Sequence, residues 1–157
     1  MKKLILILFL IPTLLFAQSG GMKFEHGLNW SQIKEKAAKE NKFIFVDCFT
    51  TWCGPCKYMS STIFPQTKVG DFFNAKFINA KIQMDKTKND NEEVKSWYEE
   101  ADRFAKDYKV RAYPTFLIFD AKGTLVHRIV GGGEADDFIA KAQKALDPNT
   151  QYETLLA

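Results

Sequence analysis

Val46-Asp47-Cys48-Phe49-Thr50-Thr51-Trp52-Cys53-Gly54-Pro55-Cys56-Lys57 is the stretch that decides how this chain is read. Its front half closes the apolar run Phe43–Phe49, which is broken only by Asp47. A continuous run of this kind reads as a strand buried on both faces. Its back half opens a helical pattern over 53–64. A Cys-x-x-Cys at a helix start has a physical logic. The helix N-terminus carries partial positive charge and unpaired N–H groups, which favour a thiolate on Cys53. Cys56 falls one turn further, within bridging distance, so the pair can open and close a disulfide without moving the fold. Pro55 lacks an N–H that would be orphaned in a first turn.

Other uses of this spacing fit less well. Haem attachment needs a His after the second Cys, and Lys57 stands there. Structural zinc takes four ligands, usually from two such pairs. Only Cys48, His26 and His127 remain, without ligand spacing, so no metal is expected. A purely structural disulfide over so short a loop constrains little unfolded-state entropy. Redox chemistry is the better reading. Asp47 supports it, because a carboxylate in an apolar strand is costly to bury and burial raises its pKa, as suits a proton relay. The bland reading of Asp47 is a strand-end turn acid. Cys48 reads as a small buried hydrophobe.

Outward from this segment the chain alternates helices and strands. Asn29 and Gln32 form a capping box before a helix over Trp30–Glu40. Pro65 stops the helix that follows Cys56, and a further helical piece runs through Phe72 and Phe73. A strand is expected over Lys76–Met84, a solvated turn over the charged stretch Lys86–Glu93, and one long helix over Glu92–Tyr108. Thr115–Phe119 and Leu125–Val130 read as a hairpin turning at Asp120–Gly123. Gly131–Gly133 is a flexible break without the context of a nucleotide site. A helix over Glu134–Leu146 follows. Parallel crossovers followed by a hairpin give an α/β fold with a mixed central sheet and helices on both faces.

The active segment resembles that of the thioredoxin superfamily. Asp47, six residues before Cys53, matches the family's buried acid. Lys81, in the next strand, matches the lysine that pairs with it. Val110-Arg111-Ala112-Tyr113-Pro114-Thr115 matches the loop that carries a cis-proline. The resemblance covers 28–146 and implies the thioredoxin fold. It implies catalytic roles for Cys53, Cys56, Asp47 and Lys81, and a substrate surface made by Trp52, Gly54, Pro55, Tyr113 and Pro114. Phe64 and Val69 after Cys56-Lys57 are more similar to the C-terminal domain of membrane thiol:disulfide interchange proteins. The stretch Asp85–Lys109 is longer than the family minimum.

Residues 1–17 carry Lys2 and Lys3, then the 13-residue apolar run Leu4–Phe16, then Ala17. This is the layout of a secretory signal peptide, and the run is short of the about 20 residues that span a bilayer. Residues 18–27 are expected as a linker, 28–146 as the domain and 147–157 as a tail without strong period. The whole chain has a formal charge of +3 and the chain from Gln18 a charge of +1, which gives no reason to expect a nucleic acid. The expectation is an exported, periplasmic thiol:disulfide oxidoreductase, monomeric, without cofactor. It would act on protein disulfides and draw electrons from an upstream thiol donor such as a membrane interchange protein. Its rival is a thioredoxin-fold binding or chaperone module with a structural disulfide.

Overall fold

The computed structural model describes residues 20–156. The signal-peptide reading of 1–17 lies outside them. The sheet order is β2-β1-β3-β4, with β1 (Phe43–Phe49) parallel to β2 (Phe77–Gln83) and antiparallel to β3 (Thr115–Phe119), which pairs antiparallel with β4 (Leu125–Val130). This is the mixed sheet expected from the sequence.

Strand period sorts the side chains into two cores. Ile44, Val46 and Cys48 of β1, with Ile78, Ala80 and Ile82 of β2, face Trp30, Ile33 and Ala37 of α1 (Trp30–Glu40) and Ala101 and Phe104 of α5 (Tyr98–Asp107). Phe45 and Phe116 face the other way, onto Phe73 of α3 (Thr67–Lys76) and Phe138 of α6 (Ala135–Gln143). Phe45 lies 4.9 Å from the Phe73 ring and 5.4 Å from Phe116, and Phe73 stacks on Phe138 at 4.8 Å. Each such pair adds about 0.5–1.5 kcal/mol beyond the area it buries. By the same alternation Asp47 and Lys81 belong to the Phe45 face, the one covered by the helix that carries the cysteines.

Several elements differ from expectation. The helix after Cys53 is an α turn, α2 (Gly54–Tyr58), that widens into a π turn over Met59–Ile63, where the Phe64 N–H donates to Met59 O at 2.8 Å. The single helix expected over Glu92–Tyr108 is two, α4 (Glu92–Ser96) and α5, which meet at Trp97. Asn91 caps the first, and the Tyr98 hydroxyl donates to Asp90 at 2.5 Å, tying the start of the second back to the loop. Asp90 also accepts from the Thr87 N–H and from Gln83, so the charged stretch is an organised loop rather than a merely solvated turn. The Thr87 hydroxyl, which also donates to Asp90, contributes most, and with these bonds it holds the Asp90 carboxyl well below its ordinary range, while the bond to Asp90 pushes Tyr98 up to about 12.

Both ends of the described chain are docked. Phe24 forms a parallel bridge with Asn79, and the Met22 N–H donates to Phe64 O at 2.7 Å. The end read as an unpatterned tail contains α7 (Tyr152–Leu156). Its first N–H donates to His127 Nδ1 at 2.9 Å, and its Glu153 pairs with Arg128. Those anchors lie on β4, far away in sequence, and a helix of five residues has too few positions to show a period.

Candidate active site

The strand-to-helix turn after β1 builds the site. Cys53 and Cys56 form a disulfide with their Cα atoms 5.3 Å apart. Cys53 is the N-cap of α2, and its Sγ accepts the Cys56 N–H at 3.1 Å. Both residues are buried, at 3% and 4% exposure, so exposure does not distinguish them. The N–H aimed at Cys53 does, because it would stabilise negative charge on that sulfur after reduction. Cys48 is fully buried and free, and burial, with the Asp47 charge beside it, pushes its thiol well above the ordinary range.

Two supports fix this turn. The Thr51 N–H donates to Asp85 Oδ1 at 3.0 Å and the Thr51 hydroxyl to Asp85 Oδ2. The Tyr113–Pro114 peptide bond is cis, as the resemblance implied. Pro114 precedes β3 directly, and Thr115 is in register with Cys48, so this loop lies beside the end of β1. Trp52 is 69% exposed and meets Tyr113 edge-on at 5.8 Å. The Gly131 N–H donates to Pro114 O at 2.8 Å. A Cβ on Gly132 would press on Met59 Sδ at 3.2 Å, and the Tyr58 hydroxyl donates to Glu134 at 2.7 Å. The glycine stretch read as a flexible break is therefore held between the proline loop and the redox helix.

Beneath the helix lies Asp47, 1% exposed. Burial raises its pKa to about 6, against the opposing charge of Lys81. Lys81 Nζ stands 3.4 Å from Asp47 Oδ2, and no residue among those described makes a well-aligned hydrogen bond to either carboxylate oxygen. The sites read from sequence thus fall into one region: the dithiol turn, the proline loop beside it and the Asp47–Lys81 pair under the helix. Sequence reading missed Asp85, Glu134 and Ser60, whose hydroxyl accepts from Lys81 at 2.9 Å. Their partners lie 21 to 76 residues away, and no local pattern marks them. Among the described residues no three His, Cys, Asp or Glu side chains gather as metal ligands.

A family model described as a thioredoxin-like domain matches residues 30–146. The chain belongs to the thioredoxin-like family. Within that family it is 34% identical over 119 residues to Thioredoxin Y, chloroplastic, of Oryza sativa subsp. japonica, a match covering 75% of this chain and 60% of the rice protein. It is 28% identical over 129 residues to the thiol:disulfide interchange protein DsbD of Pseudoalteromonas atlantica, covering 79% of this chain and 20% of that protein. Among solved structures it is similar to that of a proposed disulphide-isomerase from Bacteroides thetaiotaomicron, at 36% identity and a TM-score of 0.66, covering 83% of this chain and 98% of the other. The chain spans less than two thirds of the rice protein's length, and a fifth of the length of DsbD.

Proposed function

We propose that this thioredoxin-like chain is an exported thiol:disulfide oxidoreductase that reduces or exchanges disulfides in protein substrates. The observation that carries the reading is the Cys53–Cys56 disulfide at the start of α2, with the Cys56 N–H directed at Cys53 Sγ. In the reduced protein a Cys53 thiolate attacks one sulfur of a substrate disulfide. The S–S bond breaks, the other substrate sulfur leaves as thiolate, and a mixed disulfide forms. Asp47 as carboxylate takes the Cys56 thiol proton, with Lys81 beside it. The Cys56 thiolate then attacks Cys53 Sγ, the substrate leaves reduced, and the Cys53–Cys56 bond closes. Two electrons have passed from the dithiol to the substrate. Trp52, Gly54, Pro55, Tyr113 and Pro114 form the surface against which the substrate lies.

An upstream dithiol must return the pair to its reduced state. The likeness to DsbD supports a membrane interchange protein as that donor. Lys2, Lys3 and the short apolar run Leu4–Phe16 support export, with cleavage near Ala17. N-terminal sequencing of the exported product tests this, with a start near Gln18 expected and a full-length, membrane-held product contradicting it. Turnover of insulin disulfides with a chemical reductant tests the chemistry. Loss of turnover in Cys53→Ser supports it, and retained turnover in that variant contradicts it.

A further inference from the structure

The π turn of the redox helix has one contact that the dithiol chemistry does not require. It places the Ser60 hydroxyl 2.9 Å from Lys81 Nζ, where it accepts a hydrogen bond. A π turn inserts an extra residue into the helical repeat and so changes which side chain faces a neighbour. The rest of the ammonium's surroundings are mostly rings. Lys81 Nζ lies 4.9 Å from the Phe49 centroid, 5.1 Å from Phe24 and 5.5 Å from Phe64. Ring faces attract a cation but accept no directed hydrogen bond of ordinary strength. Ser60 therefore supplies direction where the rings supply only enclosure.

Lys81 is partly exposed and reaches to 3.4 Å from Asp47 Oδ2. Two open depressions, of about 310 and 350 Å³, are both lined by Lys81 and Phe24. Asp47 itself is nearly inaccessible. We propose that Ser60 is a positioning residue that pins the Lys81 ammonium beside Asp47 and so sets the charge geometry under which Asp47 gains and loses its proton. This rests on the oxidoreductase reading for its purpose, though the geometry stands without it. Other charges border the 310 Å³ depression: Glu25, paired with Lys36, and Glu93, paired with His26. The 350 Å³ depression has Lys81 as its one charged lining residue among those described. On its own strand Asp47 adjoins Cys48, whose thiol stays protonated.

The test is a ¹³C carboxyl NMR titration of Asp47 in the oxidised full chain, compared among the parent, Ser60→Ala, Ser60→Thr and Lys81→Met. Removing an opposite charge at this range raises a carboxyl pKa by about 1–3. Lys81→Met should show such a rise. Ser60→Ala should show a smaller rise, roughly 0.5 as a fraction of that effect. Ser60→Thr, which keeps the hydroxyl, should titrate with the parent. The acid limb of the reductase pH profile should move with the NMR midpoint. An unmoved midpoint in Ser60→Ala, or equal shifts in the Ala and Thr variants, overturns the proposal, and so does an unmoved midpoint in Lys81→Met. The oxidised protein performs no turnover in this experiment. Failure of the oxidoreductase reading would instead appear as retained turnover in Cys53→Ser.

Discussion

Asp47 and Lys81 occupy paired positions in the parallel register of β1 and β2, and the Lys81 ammonium stands 3.4 Å from the buried Asp47 carboxylate. Register and strand period together place both side chains under the redox helix. Neither residue could move one position along its strand without turning to the opposite core. The pair is thus a consequence of strand alignment, which also explains why an acid persists in an otherwise apolar run.

The first prediction follows from burial of that acid. Its pKa rises in the fold from 3.8 to about 6. A raised carboxyl pKa means that the folded state holds its proton more tightly than the unfolded chain. Asp47 therefore favours folding at low pH, and that contribution is lost as pH climbs from about 4 through about 6. Asp47→Asn removes the dependence. Relative to the parent, the variant should gain about 2.4 kcal/mol between pH 4 and pH 8, because a tenfold change in proton affinity is worth about 1.4 kcal/mol and part of the effect is already present at pH 4. Denaturant melts across that range check it. A pH-independent difference would contradict the account.

A second prediction separates the cysteines. In the reduced chain, iodoacetamide should modify Cys53 well before Cys48, since Cys48 is fully buried with a raised pKa. Fragment-ion mass spectrometry of the tryptic peptide 43–57, which holds all three cysteines, reads this directly with and without denaturant. Cys48→Ala should keep nearly all reductase turnover. Modification of Cys48 in the native protein at the rate of Cys53 would contradict the assignment.

A third prediction concerns the exposed ring beside the dithiol. Trp52 contacts Tyr113 and otherwise faces solvent. Trp52→Ala should raise KM for a protein disulfide about tenfold, the effect of losing an aromatic anchor worth roughly 1.4 kcal/mol. Stability should change by no more than about 0.5 kcal/mol. Unchanged KM would remove Trp52 from the substrate surface.

The N-terminal segment gives the fourth. A Cβ on Gly70, inside α3, would overlap the Gly21 backbone, which is held by the Asn74 amide at 3.0 Å. Gly70→Ala should therefore displace residues 20–22 and destabilise the fold by about 1–3 kcal/mol, as overpacking does. Helix propensity alone would stabilise it by up to about 1 kcal/mol. A gain in the denaturant midpoint would mean that the segment does not dock.

How much of this could be read in advance depends on how local each cause is. The hairpin Thr115–Phe119 to Leu125–Val130 and the Asn29–Gln32 capping box match their sequence readings because turn and cap chemistry are written within a few residues. Cys53, Cys56, Asp47 and Lys81 were legible through spacing and family likeness, and the fold brings them into one region. The π turn was not, since Met59–Ile63 carries no local signal that separates it from an α turn. The break at Trp97 depends on Tyr98 reaching back to Asp90, and α7 depends on His127 and Arg128 of β4. Ser60 gained a role only once β2 had brought Lys81 across 21 residues of chain.

The central claim is that Cys53 attacks and Cys56 resolves. Its most direct test is to mix reduced Cys56→Ser and Cys53→Ser proteins separately with insulin and to map any mixed disulfide by peptide mass spectrometry. Cys56→Ser should hold insulin covalently through Cys53, stable until a reductant is added, while Cys53→Ser should form little adduct. Adduct through Cys56 in Cys53→Ser, at a rate equal to or above that of Cys53 in its counterpart, or no adduct in either protein, would contradict the account.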